Sequence, residues 1–134
     1  MAKLETIEGI GTTYAVQLRQ AGIGSVEGLL KAGATPEGRD QIHEDTGIGE
    51  EFIMDWVNRA DLMRVRGIGE EYSDLLERAG VDTVVELAQR NPENLHERMV
   101  EVDADEKLVR RLPTAGMVVR WVEQAKALPR AVFY

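Results

Sequence analysis

The chain has no cysteine, and that absence removes disulfide staples, thiolate nucleophiles and cysteine-ligated zinc together. It fits a reducing compartment. Histidine is scarce, with two in the chain, and no Walker-type phosphate loop or nucleophile–base arrangement is visible. We therefore expect no enzyme activity, no cofactor and no metal. A basic excess is missing too: the net charge is −8 and the pI about 4.8. Residues 1–60 hold five basic and ten acidic side chains, and residues 61–134 hold eleven and fourteen. That balance counts against a general nucleic-acid binder, although binding depends on the local patch. No apolar run approaches the roughly 20 residues needed to span a bilayer. Met1-Ala2-Lys3-Leu4-Glu5 is too polar for a signal peptide. The expected location is cytoplasmic, with no membrane partner.

What is present is an internal repeat, the feature to seek first. Ile7-Glu8-Gly9-Ile10-Gly11 is followed by Tyr14, Leu18, Ala21-Gly22-Ile23, Ser25-Val26 and Leu29. Val65-Arg66-Gly67-Ile68-Gly69 is followed by Tyr72, Leu76, Ala79-Gly80-Val81, Thr83-Val84 and Leu87, at a constant offset of 58. Thr35-Pro36-Glu37 and Asn91-Pro92-Glu93 each place a capping side chain before a proline at the first helical position. Trp56-Val57 and Ala60 return as Trp121-Val122 and Ala125 at an offset of 65, so the second copy has gained about seven residues, expected near Glu101–Leu112. The units run 1–60 and 61–128, with a tail at 129–134 that is expected either to pack on its own core or to serve a partner.

Periodicity predicts helices throughout. Tyr14, Leu18 and Ala21 share one helical face, as do Tyr72, Leu75, Leu76 and Ala79. Gly22 and Gly80 sit where a left-handed C-terminal cap is expected. Thr83-Val84-Val85-Glu86 reads as a capping box. Ile53, Trp56, Val57 and Ala60 form an apolar stripe, and so do Met117, Val118, Trp121, Val122 and Ala125, capped by Thr114. No segment alternates as a strand.

The pattern h-x-Gly-h-Gly between helical stretches has a physical meaning. Glycine can take φ > 0, which allows a very short hairpin, and the middle Ile buries itself. The residues after the second glycine open a helix whose first N–H groups lack partners, at the positive end of the dipole. Such an end accepts anions. Ile7-x-Gly9-Ile10-Gly11-x-x-Tyr14-Ala15-x-x-Leu18 and Val65-x-Gly67-Ile68-Gly69-x-x-Tyr72-Ser73-x-x-Leu76 resemble the helix-hairpin-helix motif of DNA repair and recombination proteins. Over nearly the whole chain the sequence resembles an uncharacterised bacterial family of tandem helix-hairpin-helix proteins. The shared features are the two turns, the Ala-Gly-Ile and Ala-Gly-Val segments, Trp56 through Leu62, and Arg110-Arg111-Leu112-Pro113. The motif implies contact with DNA phosphates regardless of base sequence, and the closer family implies no known activity. Gly47-Ile48-Gly49-Glu50-Glu51 looks like a third copy, and the equivalent place near Thr114 has lost its glycines.

The turns differ in charge. Thr12 and Thr13 follow Gly11 and suit a phosphate; Glu70 and Glu71 follow Gly69 and would repel one, as would Glu50 and Glu51 after Gly49. DNA-binding versions carry basic or small polar residues here, so this chain departs from the pattern at its second and third turns. Arg64 and Arg66 are placed to offset Glu70 and Glu71. Lys107, Arg110 and Arg111 form the densest basic cluster, with Arg120 beyond; they read either as a phosphate-contacting edge or as a solvated face paired to Glu101, Asp103 and Asp105. His43-Glu44-Asp45 and His96-Glu97 lack the spacing of a metal site and read as surface residues. Asp103-Ala104-Asp105-Glu106 lacks the glycine and distal glutamate of a calcium loop and reads as a solvated turn.

The expectation is an all-α protein with two tandem helix-hairpin-helix units, about eight to ten short helices in one compact domain, packed through the Trp56 and Trp121 stripes and the tyrosine-bearing helices. The leading function is a non-catalytic module that touches nucleic-acid backbone through Gly9, Ile10, Gly11, Thr12 and Thr13, through Gly67, Ile68 and Gly69, and through Arg64, Arg66, Arg110 and Arg111. The alternative is an acidic protein-interaction or scaffolding module that keeps the fold without binding DNA.

Overall fold

A computed structural model describes residues 2–134. Among them are eight α-helices, a three-residue 3-10 turn at Leu4–Thr6 and no strand. The chain divides into two compact units, one of Met1–Asp61 with Ala131–Tyr134, the other of Leu62–Arg130. Among the described residues no helix is long and apolar enough to cross a membrane.

In the first unit, α1 (Thr12–Gln20) and α2 (Val26–Ala32) are followed by α3 (Pro36–Thr46) and α4 (Glu50–Leu62). Local sequence sets these boundaries. At the end of α1, Gly22 adopts φ 89°; its N–H reaches the Arg19 carbonyl at 3.0 Å while the Ile23 N–H reaches Leu18 at 2.9 Å. This paired return satisfies carbonyls that a helix end leaves open. The Ser25 and Thr35 hydroxyls accept from the Gly28 and Gly38 N–H groups, capping α2 and α3. The second unit repeats the plan with α5 (Glu70–Arg78), α6 (Val84–Ala88), α7 (Pro92–Glu106) and α8 (Ala115–Ala127). Gly80 repeats Gly22 at φ 95°, and Thr83, Asn91 and Thr114 cap the following helices.

The insertion is split between a helix and a loop. Helix α7 has 15 residues where α3 has 11, and a long connection carries it to Thr114 where Gly47–Gly49 suffices in the first unit. The extra length changes the role of Asp103-Ala104-Asp105-Glu106, which is not a solvated turn but the last turn of α7. There Asp103 Oδ1 accepts the Leu108 and Val109 N–H groups at 2.7 and 3.1 Å. Helix α3 ends on Gly47 at φ 75°, and α7 ends the same way on Lys107 at φ 51°. The two histidines also hold loops. A His43 Nδ1–H donates to the Ile48 carbonyl at 2.6 Å, and a His96 Nε2–H to Pro113 at 2.9 Å.

Each tryptophan packs against its own unit's tyrosine: Trp56 meets Tyr14 edge-on at 5.0 Å, and Trp121 meets Tyr72 at 5.2 Å. Both indoles are buried. The tail joins the first unit. The Phe133 N–H bonds to the Ala34 carbonyl at 2.8 Å, Val132 is buried, and the buried Arg39 donates to the Gly33 and Phe133 carbonyls, both at 2.8 Å.

Candidate functional site

The two Gly-Ile-Gly turns share one backbone. Gly9 and Gly67 have φ 97° and 98°; the Ile10 and Ile68 N–H groups close the turn onto Ile7 and Val65, each at 3.1 Å. Ile10 and Ile68 are buried, as the pattern predicts. Gly11 and Gly69 stand in extended backbone as the N-caps of α1 and α5. The two glycines of a turn do different work. A Cβ on Gly9 would lie 3.1 Å from Trp56 Nε1, and one on Gly67 3.0 Å from Trp121 Nε1. A Cβ on Gly11 or Gly69 would meet nothing within 4 Å. The first glycine seats the turn on the indole; the second opens a helix to solvent.

At the first turn the helix end is bare. Gly11 offers no side-chain cap, and no acidic residue occupies the first turn of α1. The first helical bond runs from the Ala15 N–H to the Gly11 carbonyl, so the N–H groups of Thr12, Thr13 and Tyr14 lie ahead of the ladder. Thr12 and Thr13 are exposed.

At the second turn the same end is covered. Gly67, Gly69, Glu70, Glu71, Tyr72, Arg110 and Arg111 line a cleft of about 460 Å³. Glu71 accepts the Arg110 backbone N–H at 2.7 Å and its Nε–H at 2.9 Å, and the Tyr72 hydroxyl donates to the Arg111 carbonyl at 2.9 Å. The Arg110 N–H first, and then its guanidinium, hold the Glu71 carboxyl below its ordinary value. The inserted loop is therefore pinned over the turn by the residue expected to repel phosphate. Arg110 is the cation that offsets Glu71, a pairing hidden by their separation of 39 residues. Arg64 and Arg66, expected in that part, are used otherwise. Arg64 donates to the Pro129 carbonyl at 2.6 Å. The Arg66 backbone is held by Gln124, which accepts its N–H at 3.0 Å and donates to its carbonyl at 3.3 Å.

The third turn is acidic in fact as well as in sequence. Pro36, Arg39, Asp40, Glu50, Glu51 and Met54 line a cleft of about 330 Å³, and hydrogen bonding to Asp40, with its negative charge, raises the Glu50 carboxyl above its ordinary value. No group of three or more metal-ligating side chains occurs among the described residues.

A further cleft, of about 690 Å³, lies on the other side of Gly67, lined by Arg66, Gly67, Met117, Arg120, Trp121 and Gln124. Sequence reasoning singled out Arg66 and Gly67 but missed Gln124. The signal was available in the repeat. At the offset of 58, Arg66 stands where the first unit has Glu8. At the offset of 65, Arg120 and Gln124 stand where it has Asp55 and Arg59.

The fold and these turns define a class of small all-helical protein built by duplication of one glycine-turn unit. Residues 8–128 match the model of a family described as a domain of unknown function, DUF4332, and the chain belongs to that family. No curated protein and no solved structure matches it.

Proposed function

We propose that this protein is a non-catalytic helix-hairpin-helix module that contacts nucleic-acid backbone through its first Gly-Ile-Gly turn, without reading base sequence. The observation that carries this reading is the bare N-terminus of α1. It combines three unbonded N–H groups, two exposed hydroxyls at Thr12 and Thr13, and a glycine cap that lets a phosphate approach closely. The other helices that follow a glycine turn start with paired carboxylates, Glu50 and Glu51 on α4 and Glu70 and Glu71 on α5, and the α5 turn is also tied to its loop, so these turns serve as architecture. Contacts to a few phosphates give weak binding that falls with salt, with a slope of about −0.9 on B-DNA for each phosphate that an arginine or lysine neutralises.

The test is a fluorescence titration of a sequence-random duplex at low and at physiological salt, with wild type and Gly11→Asp. Aspartate there caps α1 and complements its dipole, so the variant stays folded, gains about 0.5 kcal/mol and presents a carboxylate to the phosphate. Wild type is expected to bind at low salt and weaken with salt, and Gly11→Asp to bind at least about tenfold more weakly. No binding by wild type at low salt, or equal binding by the variant, overturns the reading.

A second reading has its own support. The net charge of −8 and the Asp40–Glu50–Glu51 cleft favour an acidic scaffold that docks a basic protein. A wild type that ignores DNA at low salt leaves this reading in place.

A further inference from the structure

The cleft of Arg66 and Arg120 differs in charge from its neighbours. The cleft at the second turn mixes two arginines with Glu70 and Glu71, and the one at the third turn holds three carboxylates. The Arg66–Arg120 cleft holds two arginines and no carboxylate. Among the described residues neither guanidinium makes a hydrogen bond or an ion pair, whereas Arg19, Arg59, Arg78, Arg98 and Arg110 all meet carboxylates. Arg66 and Arg120 are both exposed, so the cleft stands open to an anion from solvent, and two guanidinium groups on one wall add their attraction for it.

Two features hold them there. Gln124 grips the Arg66 backbone from both sides and so fixes the base of that side chain at the cleft. Arg120 lies back along α8, its Nη1 3.6 Å from where a Cβ of Gly116 would stand. That position is the first turn of α8, which carries no acidic residue. A guanidinium beside a helix's positive end is opposed by the dipole. An anion between Arg120 and Arg66 would relieve that opposition.

The first unit supplies the comparison. Its six equivalent positions are Glu8, Gly9, Phe52, Asp55, Trp56 and Arg59. Glu8 replaces Arg66, and Asp55 replaces Arg120 and pairs with the buried Arg59 at 3.2 Å. One backbone plan thus exists in two charge states: a net negative one, with Glu8 and Asp55 against Arg59, and a positive one with Arg66 and Arg120.

We propose that the cleft of Arg66, Arg120, Gln124 and Trp121 is a phosphate-binding site of the second unit. The site takes the negatively charged non-bridging oxygens of a phosphate group on two guanidinium forks, which suit that geometry better than ammonium groups do. That the phosphate belongs to a nucleic acid rests on the reading above; that the cleft takes phosphate does not.

The experiment is an NMR titration of the ¹⁵N-labelled protein at low ionic strength. The probe is first inorganic pyrophosphate, then a short sequence-random duplex. Pyrophosphate is expected to shift the Trp121 indole N–H and the Gly67 amide while leaving the Trp56 indole N–H in place. Arg66→Glu/Arg120→Asp installs the first unit's residues at both positions, and its affinity is expected to fall at least about tenfold. Arg120→Gln alone keeps the helix and is expected to give a smaller loss, which guards against misfolding of the double variant. Trp121 and Gly67 signals that stay fixed, or folded variants that bind pyrophosphate as wild type does, overturn the proposal. Cleft shifts with both probes assign the phosphate to nucleic acid. Cleft shifts with pyrophosphate alone uphold the site and set aside nucleic acid as the source of its phosphate, leaving the first turn to be judged by Gly11→Asp.

Discussion

Alanine at the first glycine of each turn is expected to destabilise the protein, and alanine at the second to leave it almost unchanged. Gly9 holds φ 97°, where an L-residue pays about 1–2 kcal/mol. Its new Cβ would stand 3.1 Å from Nε1 of the buried Trp56, and shifting a packed side chain adds about 1 kcal/mol. The narrower unfolded ensemble of alanine returns about 0.4–1 kcal/mol. The net for Gly9→Ala is a loss of about 2 kcal/mol. For Gly11→Ala the backbone is extended and nothing lies within 4 Å. The same ensemble gain then opposes a loss of similar size, because glycine caps a helix better than alanine, so the net falls within about 0.5 kcal/mol of zero. Gly67→Ala and Gly69→Ala repeat the comparison against Trp121. Urea unfolding followed by far-UV circular dichroism resolves the difference, since about 2 kcal/mol moves the midpoint by roughly 1 M for a small domain. If Gly9→Ala unfolds at the same urea concentration as Gly11→Ala, the indole contact and the left-handed backbone are not what fixes the turn.

Arg39→Met keeps the buried stem but leaves the Gly33 and Phe133 carbonyls without their donors; a loss of about 2 kcal/mol is expected, with faster hydrogen exchange at the Phe133 N–H. The Glu71 carboxyl is held low by Arg110, so its clamp adds stability above the ordinary value of 4.5 and loses it as pH falls through the depressed value. Glu71→Gln is expected to flatten that part of the acid unfolding curve. Glu50 has the opposite sign. Its carboxyl is raised by Asp40, so the pair costs stability at neutral pH and the cost fades as pH falls through the raised value; Asp40→Asn is expected to raise the urea midpoint at about pH 7 and to lose that advantage near pH 4. Lys107 holds a left-handed φ of 51° where the first unit has Gly47. Lys107→Gly relieves about 1–2 kcal/mol of strain against a wider unfolded ensemble, and a net gain of about 0.5 kcal/mol is expected in the same urea assay.

The helices, caps and turns were legible because each depends on residues within four or five positions of one another. Ser25, Thr35 and Gly22 do in the fold what their local pattern demands. What escaped was long-range pairing. Nothing near Glu71 announces that its partner lies 39 residues on, and nothing near Arg39 announces that it fastens a tail 94 residues away. The histidines do stand at the surface of α3 and α7, as read, His43 exposed and His96 half-buried; what the local pattern does not show is the carbonyl each holds in the following loop. The Arg66–Arg120 cleft lay between these extremes. Its charge reversal is visible once the two units are aligned, but only the fold brings the two arginines onto one wall.

The repeat presents each turn-capped helix end and each position beside a tryptophan twice, and the two units differ in charge at both. In the first unit the helix end after the Gly-Ile-Gly turn is bare, and the position beside its tryptophan is neutralised by Asp55 and Arg59. In the second unit the helix end carries Glu70 and Glu71, with Glu71 held to the Arg110 loop, and the position beside its tryptophan keeps Arg66 and Arg120 free. Under the proposed function, each unit offers one phosphate contact by a different device: backbone N–H groups at α1, guanidinium groups at Trp121. The two devices respond differently to salt and to substitution. Gly11→Asp removes a contact made by dipoles, while Arg66→Glu/Arg120→Asp removes one made by full charges and should account for most of the salt slope. If both variants instead change the slope equally, the division of labour between the units is wrong even if the protein binds DNA.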